Sequence, residues 1–349
     1  MMEIQIPASW KGNVQDVDDA VKKVKKGEVS VLCKSAGGRN VYFVEYGKKN
    51  DIKRVANYSS ATGARSLKYY ADKSGADYVP TVLLVGATHG NEWEGVVAIN
   101  NLISLIETGV DLAGERHDDV LKALEGINLL IVPCLNPDGR ARIPLETMAG
   151  QSYEKFRYYS QGTWKDGSLC NWPQCKSIHP IKDAADFLGG YFNDDGVNIM
   201  LDNFFFPMAE ETKAILKVAD EYVPDMTILL HGGDNTKQGF FPFDYVPGWI
   251  RERIRGLSEK IVEYTEKDGL DVEHFAHTQM ESRQDQLPVA TFSLQAAWTS
   301  LCGEACVTYE SNQGLDHPNQ YSMDEIYAHH RVLFKAVFDY IKTFDYSER

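Results

Sequence analysis

A histidine and a glutamate three residues apart form the first pair in this chain that could hold a metal ion. His89 and Glu92 lie in the segment 88–95, directly after the apolar run 82–87. Side chains three apart on one turn can point the same way. Imidazole nitrogen and carboxylate oxygen are both good zinc ligands. The pair therefore predicts part of a zinc site at a strand-to-helix turn.

A second histidine completes a possible ligand set. His231 follows the apolar run 226–230 and precedes two glycines, Gly232 and Gly233, which leave backbone room around it. Two histidines and one glutamate leave a fourth tetrahedral position open, as in catalytic rather than structural zinc sites. Glu310 ends the shorter apolar run 305–309. A carboxylate at the same sheet edge could act as general base toward zinc-activated water.

Each residue also has an ordinary interpretation. A single histidine after a strand is commonly a polar edge residue, and a single glutamate there is commonly a surface residue. A rival metal site is conceivable in the segment 273–277, where His274 and His277 are three apart. That segment follows no assignable strand end, and no third ligand is evident. The metal-site hypothesis depends on the ordered appearance of His89, Glu92 and His231.

The elements that must position these residues are read from apolar patterning. The runs 82–87, 129–134 and 226–230 are continuous and apolar, as expected of strands covered on both faces, and 29–33 with 41–46 predict a hairpin. Amphipathic helices are expected at 93–107, 208–222, 250–267 and 326–344, and a polar helix at 12–28. Alternating strands and helices favour an α/β fold with a mixed, mostly parallel sheet between helices. Ligands bind beyond the carboxyl ends of strands in such sheets.

No linker divides the chain, so a single domain over 1–349 is expected, with the N-terminal helix and hairpin at about 12–47 and the core at about 78–345. Residues 136–200 lack clear periodicity, and so long an irregular stretch is expected to be functional.

Composition narrows the partners and the compartment. The formal net charge of −14 disfavours nucleic acid and anionic membranes as partners. No apolar run is long enough to cross a membrane. Six cysteines in 349 residues do not form a disulfide framework, which favours a cytoplasmic protein. Removal of a signal peptide from the natural chain would leave secretion open.

At this point several segments resemble the zinc metallocarboxypeptidases, the carboxypeptidase A type. The matching segments span about residues 30–315 and are Lys34-Ser35-Ala36-Gly37-Gly38-Arg39, His89-Gly90-Asn91-Glu92-Trp93, Asn136-Pro137-Asp138-Gly139, Gly196-Val197-Asn198, His231 and Val307-Thr308-Tyr309-Glu310. The His-x-x-Glu motif alone is unspecific. Its position after a strand, with the other segments following in order, is fairly specific.

The resemblance implies a three-layer α/β/α sandwich with a sheet of about eight strands, one zinc ion, and hydrolysis of a C-terminal peptide bond. In this view His89, Glu92 and His231 bind the zinc, and Glu310 deprotonates the attacking water. An arginine would hold the developing oxyanion. The candidates are Arg140, Arg142 and Arg157, and Arg157 is preferred for its distance after the Asn-Pro-Asp-Gly turn.

The departures from the family pattern concern the substrate and the metal. Ile199, Met200 and Leu201 occupy the region where the family has an arginine that binds the substrate's terminal carboxylate, and they cannot replace it. Asn198 stands where an aspartate usually orients the first zinc histidine, so a weaker or retuned site is expected. The family's late active-site tyrosine has no evident counterpart, and Trp298 is either a pocket wall or plain core.

Three hypotheses follow. The first is a zinc metallopeptidase acting on a C-terminal bond or a small peptide. The second is a zinc deacylase acting on N-acyl amino acids, suggested by the absent arginine. The third is a catalytically silent peptide-binding module, which the presence of Glu310 disfavours because such a module needs no general base. The oligomeric state cannot be inferred from the sequence.

Overall fold

The computed structural model describes residues 5–234, 239–241, 247–270 and 292–346 of the chain. The rival histidine pair at 273–277 lies outside these residues. No helix among the described residues is both long enough and apolar enough to cross a membrane.

The strands in the described part of the chain are β1 Glu28–Lys34, β2 Asn40–Tyr46, β3 Thr81–Gly86, β4 Asn128–Val132, β5 Gly162–Trp164, β6 Ala185–Leu188, β7 Met226–Gly233, β8 Gly239–Phe241 and β9 Ala305–Asn312. Seven of these strands form the main sheet, in the order β1-β2-β4-β3-β7-β9-β8. The four strands β4, β3, β7 and β9 run parallel at its centre, and antiparallel strands flank them. Strands β5 and β6 form a separate antiparallel pair.

Helices cover both faces of the sheet. Several begin at recognisable caps; in the last helix, Ser322 and Glu325 form a capping box. The helices are α1 Val14–Val21, α2 Tyr58–Gly63, α3 Glu94–Thr108, α4 Asp118–Leu124, α5 Pro137–Arg142, α6 Tyr153–Gln161, α7 Glu210–Tyr222, α8 Gly248–Lys267, α9 Leu294–Cys302 and α10 Met323–Ile341.

Alternation along the central strands produces two cores. Val82 and Leu84 of β3 face a cluster with α3, α8 and α10, whereas Leu83 and Val85 face a second cluster with α7 and α9. These side chains are fully buried on both faces. Two-sided burial explains why the central strands are uninterrupted apolar runs. The result is the three-layer α/β/α arrangement expected from the sequence.

Several sequence-based expectations need correction. The sheet has seven strands among the described residues rather than about eight. The stretch 136–200, expected to be irregular, contains α5, α6, β5 and β6. Helices α4 and α9, of seven and nine residues, were not predicted. Elements of one or two turns are too short to display a clear apolar period. Trp298 belongs to the core on the α7 side, where it is fully buried, and does not line the cavity at the site.

Candidate metal centre

The loop between β3 and α3 brings the first two candidate ligands together. Nδ1 of His89 lies 2.8 Å from Oε1 of Glu92, and both side chains are buried. Gly90 between them packs against the backbone of Gly139 and Arg140, so closely that no Cβ would fit. The Asn-Pro-Asp-Gly turn therefore packs directly against the loop that carries His89 and Glu92, and a glycine is required where they meet.

His231 reaches the same point from β7. Its Nδ1 lies 3.0 Å from Oε2 of Glu92, and its ring centroid lies 4.8 Å from that of His89. One ligand atom from each of His89, Glu92 and His231 lies within 4.8 Å of the others. Ligands in a tetrahedral zinc site are separated by about 3.4 Å, given Zn–N and Zn–O bonds of about 2.0–2.1 Å. A small adjustment would bring these three atoms to that spacing.

The charges at this point suit a divalent cation. Although burial acts to raise the pKa of Glu92, the imidazoles of His231 and His89 outweigh it and lower that pKa to about 2. Burial lowers the pKa of His89, despite the nearby carboxylate. An ionised glutamate and a neutral histidine are the forms that bind metals. For His231, burial is outweighed by the attraction of Glu92, and its pKa is raised. A metal ion would replace that proton. The residues present thus fit a zinc ion.

Glu310 lies opposite His231 in the parallel register of β7 and β9. Burial is the main cause that raises its pKa to about 7, with Glu92 and Asp234 adding repulsion and His231 opposing it. Its Oε2 atom is buried and has no hydrogen-bond partner within the described part of the chain. A carboxylate with a pKa near neutrality and an uncommitted oxygen is suited to general base catalysis.

A cavity of about 520 Å³ opens above these residues. His89, Glu92 and Glu310 lie on its wall, and Arg157 and Tyr191 are among the residues lining the rest. This volume is large enough for a small peptide segment. The cavity is the space in which a substrate would meet the candidate metal ligands.

The three candidate arginines have different surroundings. Arg140 is buried, stacks 3.4 Å above the ring of Trp93 and donates to the carbonyl oxygen of Gly90. Arg142 donates to the carbonyl oxygens of Leu188, Gly189 and Phe192 and pairs with Asp194. Both are committed to backbone support.

Arg157, on α6, lines the cavity. Its guanidinium lies 5.9 Å from the ring centroid of Tyr153. Among the three candidates it is the one that faces the space a substrate would enter.

Two residues hold His89 from its other sides. Oδ1 of Asn198 lies 3.3 Å from Nε2 of His89, which is the contact expected for a residue in this position. Tyr191 stacks on the imidazole, with ring centroids 4.1 Å apart and planes at 21°. The contact of Tyr191 with His89 was not predicted from the sequence, because it depends on the course of the loop between β6 and α7. A Gly-Gly pair before it was the one local signal of a close approach.

Two other segments that resemble the family pattern, 34–39 and 136–139, are joined by polar contacts. Arg39 of the Gly-Arg turn pairs with Asp138 at 2.8 Å, and Ser35 donates to the same carboxylate.

Asn91 points away from the cavity and donates to the hydroxyl of Ser160. The segment around Met200 is a short 3₁₀ helix, and Met200 packs against the core. No arginine stands there to reach the cavity.

Comparison with known proteins places this arrangement in context. The sequence profile described as zinc carboxypeptidase matches residues 19–248. A search of curated proteins finds no match. The solved structures that resemble the chain include a metallo-carboxypeptidase from Burkholderia cenocepacia, with a TM-score of 0.58 and 14% identity, covering 95% of this chain and 69% of that one.

Two further solved structures have similar scores. A metallo-carboxypeptidase from Pseudomonas aeruginosa, in complex with (2-guanidinoethylmercapto)succinic acid, has a TM-score of 0.55 and 12% identity, covering 94% of this chain and 68% of that one. Bovine thrombin-activatable fibrinolysis inhibitor, in complex with tick carboxypeptidase inhibitor, has a TM-score of 0.55 and 12% identity, covering 96% and 97%. At these identities the likeness concerns the fold alone.

Proposed function

The chain belongs to the zinc carboxypeptidase family, and from that premise we propose that His89, Glu92 and His231 bind its zinc ion and that Glu310 is its general base. Family membership makes the protein a zinc-dependent metallopeptidase that acts on peptides. The observation that carries the residue assignment is the convergence of the three ligand atoms within 4.8 Å beside Glu310.

Glu310 and Arg157 perform different parts of the proposed catalysis. The chemistry supplied by bound zinc is Lewis acidity, which increases the acidity of water and polarises a carbonyl group. Glu310 accepts the proton of the attacking water through its uncommitted oxygen and can pass it to the leaving amine. Arg157 donates to the oxygen of the scissile carbonyl as negative charge develops on it.

The bond we propose is the C-terminal peptide bond of a small peptide. Support comes from the family and from a cavity of about 520 Å³, which accommodates a short segment rather than a folded protein. Among the described residues lining that cavity, Arg157 carries the positive charge. A substrate carboxylate and an oxyanion would compete for it.

A second candidate is the hydrolysis of N-acyl amino acids, which the absence of the carboxylate-binding arginine suggests. Met200 and Leu201 stand in the segment where the family has a carboxylate-binding arginine, and Met200 packs into the core instead. Parallel assays on N-acyl amino acids, on peptides with free C-termini and on C-terminally amidated peptides separate the two candidates.

The test of the site assignment is Glu310→Gln. We expect this variant to retain one zinc ion per chain and to lose at least about 100-fold in kcat/KM, the usual contribution of a positioned general base. Glu210→Gln is the matched control, because Glu210 is exposed and pairs with Lys213 far from the cavity. Full activity in zinc-loaded Glu310→Gln would remove Glu310 from the mechanism. Zinc retention by His231→Ala with unchanged affinity would remove His231 from the ligand set.

We also propose that the protein works in the cytoplasm. All six cysteines are free thiols in the structure, and five of them are buried. Protein disulfides are rare in reducing compartments such as the cytoplasm, and a chain whose cysteines are all free thiols is typical of them. Fractionation of cells expressing the tagged full-length chain tests this proposal.

A further inference from the structure

Two buried polar side chains lie beneath the metal centre and have no part in the chemistry described above. Glu94 is the first residue of α3, and Gln313 follows the last residue of β9. Both are almost completely buried, at 1% and 0% exposed. Nε2 of Gln313 donates to Oε2 of Glu94 at 3.1 Å and to the carbonyl oxygen of Asn91 at 3.0 Å.

The partners of Gln313 flank a metal ligand. Asn91 and Glu94 stand on either side of Glu92 in the chain, and Gln313 stands three residues after Glu310. A single carboxamide therefore links the loop that carries Glu92 to the strand end that carries the general base.

The end of β7 is enclosed by the same pair. A Cβ on Gly232, the neighbour of His231, would lie 2.6 Å from Oε2 of Glu94 and 2.9 Å from Nε2 of Gln313. The glycine thus allows the strand to approach the pair closely. All three segments that supply His231, Glu92 and Glu310 meet at these two side chains.

A buried hydrogen-bonded pair of this kind determines the relative position of the elements it joins more than it stabilises the fold. Groups of similar shape without polar atoms fill a core at least as favourably, because they carry no desolvation cost. A hydrogen bond, in contrast, fixes one distance and one direction between the elements it joins. We propose that Glu94 and Gln313 are a positioning pair that sets the distance between Glu310 and the metal-ligand set. This inference rests on the function proposed for Glu310.

The test compares Gln313→Leu with wild type in the zinc-loaded enzyme. A displacement of about 1 Å between reacting groups can cost about 100-fold in rate. We expect a 10- to 100-fold loss in kcat, KM within about twofold, and one zinc ion still bound per chain. The cobalt-substituted variant should show an altered visible absorption spectrum. Glu94→Gln, which keeps an acceptor of the same shape, should retain kcat within about threefold.

Asn100→Leu is the control for simple loss of a buried hydrogen bond. Asn100 lies on the same helix, is 1% exposed and donates to the carbonyl oxygen of Lys11 away from the cavity. We expect a lower thermal midpoint but a kcat within about twofold of wild type. Equal kcat and equal cobalt spectra in Gln313→Leu and Asn100→Leu would overturn the positioning role.

A second variant covers failure to fold. Gln313→Asn keeps the carboxamide but is one methylene too short to reach both partners, and the same two outcomes apply to it. Failure of this inference is distinct from failure of the proposed function. An inactive Glu310→Gln beside a fully active Gln313 variant refutes the positioning pair alone. A fully active Glu310→Gln refutes the proposed function itself.

Discussion

Replacing Asn198 by aspartate should tighten zinc binding. The side chain is 3% exposed, and its Oδ1 lies 3.3 Å from Nε2 of His89 while also accepting from the backbone N–H of Met200 at 3.0 Å. Asn198→Asp keeps the shape and the acceptor but adds a negative charge to it. The extra charge stabilises the imidazole that a metal ion polarises.

The magnitude follows from the strength of that contact. A hydrogen bond to a charged group contributes about 1.5–3 kcal/mol, against about 0.5–1.5 kcal/mol for a neutral one. The midpoints of these ranges differ by about 1.2 kcal/mol, which corresponds to nearly tenfold in the zinc dissociation constant. In the zinc-free protein the same carboxylate is buried beside fewer positive groups, so its desolvation should lower the free energy of unfolding.

The assay is competition for zinc against a chelating dye, with thermal melting in the absence and presence of zinc. Asn198→Asp should bind about tenfold more tightly and show a larger zinc-induced rise in Tm. Asn171→Asp is the control, because it adds the same charge to the cavity wall without contacting His89. An unchanged or weaker zinc affinity in Asn198→Asp would show that the contact with His89 does not control zinc binding. An equal gain in zinc affinity in Asn171→Asp would show the same, because any negative charge added to the cavity would then have that effect.

Three further changes test other parts of the site. Tyr191→Phe keeps the ring stacked on His89 and should leave zinc affinity within about twofold. Tyr191→Leu should weaken zinc affinity about three- to tenfold, because such a stack contributes about 0.5–1.5 kcal/mol. Equal zinc affinities of the two variants in the dye competition would contradict this expectation. Arg157→Met should lower kcat about 100-fold in steady-state kinetics with zinc still bound, while Arg142→Met, which loses backbone contacts, should lower Tm instead. In the zinc-free protein burial raises the pKa of Glu310 from 4.5 to about 7. The folded state then holds more protons than the unfolded state between these values, so its free energy of unfolding falls as pH rises through that range. Glu310→Gln should show a smaller fall in Tm from pH 4.5 to 7.5, and parallel curves would count against the raised pKa.

The sequence was sufficient where a local pattern determines the structure. The apolar runs of β3 and β7 are uninterrupted. His89, just beyond β3, and His231, near the carboxyl end of β7, therefore both fall at the carboxyl edge of the sheet. Their convergence with Glu92 could be predicted because parallel neighbours bring their ends together. The order of these short segments along the chain indicated the resemblance to the zinc carboxypeptidase family.

The rest depends on contacts between distant segments. The contact of Tyr191 with His89 requires a loop whose course no period encodes. The link from Gln313 to Glu94 joins residues 219 positions apart. Helix α6, which presents Arg157, is polar and aromatic with no clean apolar face, so it was assigned to an irregular stretch. Choosing among three arginines needed the positions of their partners, which a single sequence does not supply.

This difference separates two kinds of support within the site. His231 lies within β7, where it is paired with Glu310 of β9, and the approach of Gly139 to Gly90 fixes the loop that bears His89. Arg157 is presented by the short helix α6, and Gln313, just beyond β9, is held by side-chain hydrogen bonds. Side-chain contacts yield to substitution more readily than a buried strand ladder does. Changes at Gln313 or Arg157 should therefore lower turnover while the zinc ion stays bound, and changes at Gly90 should remove the metal first.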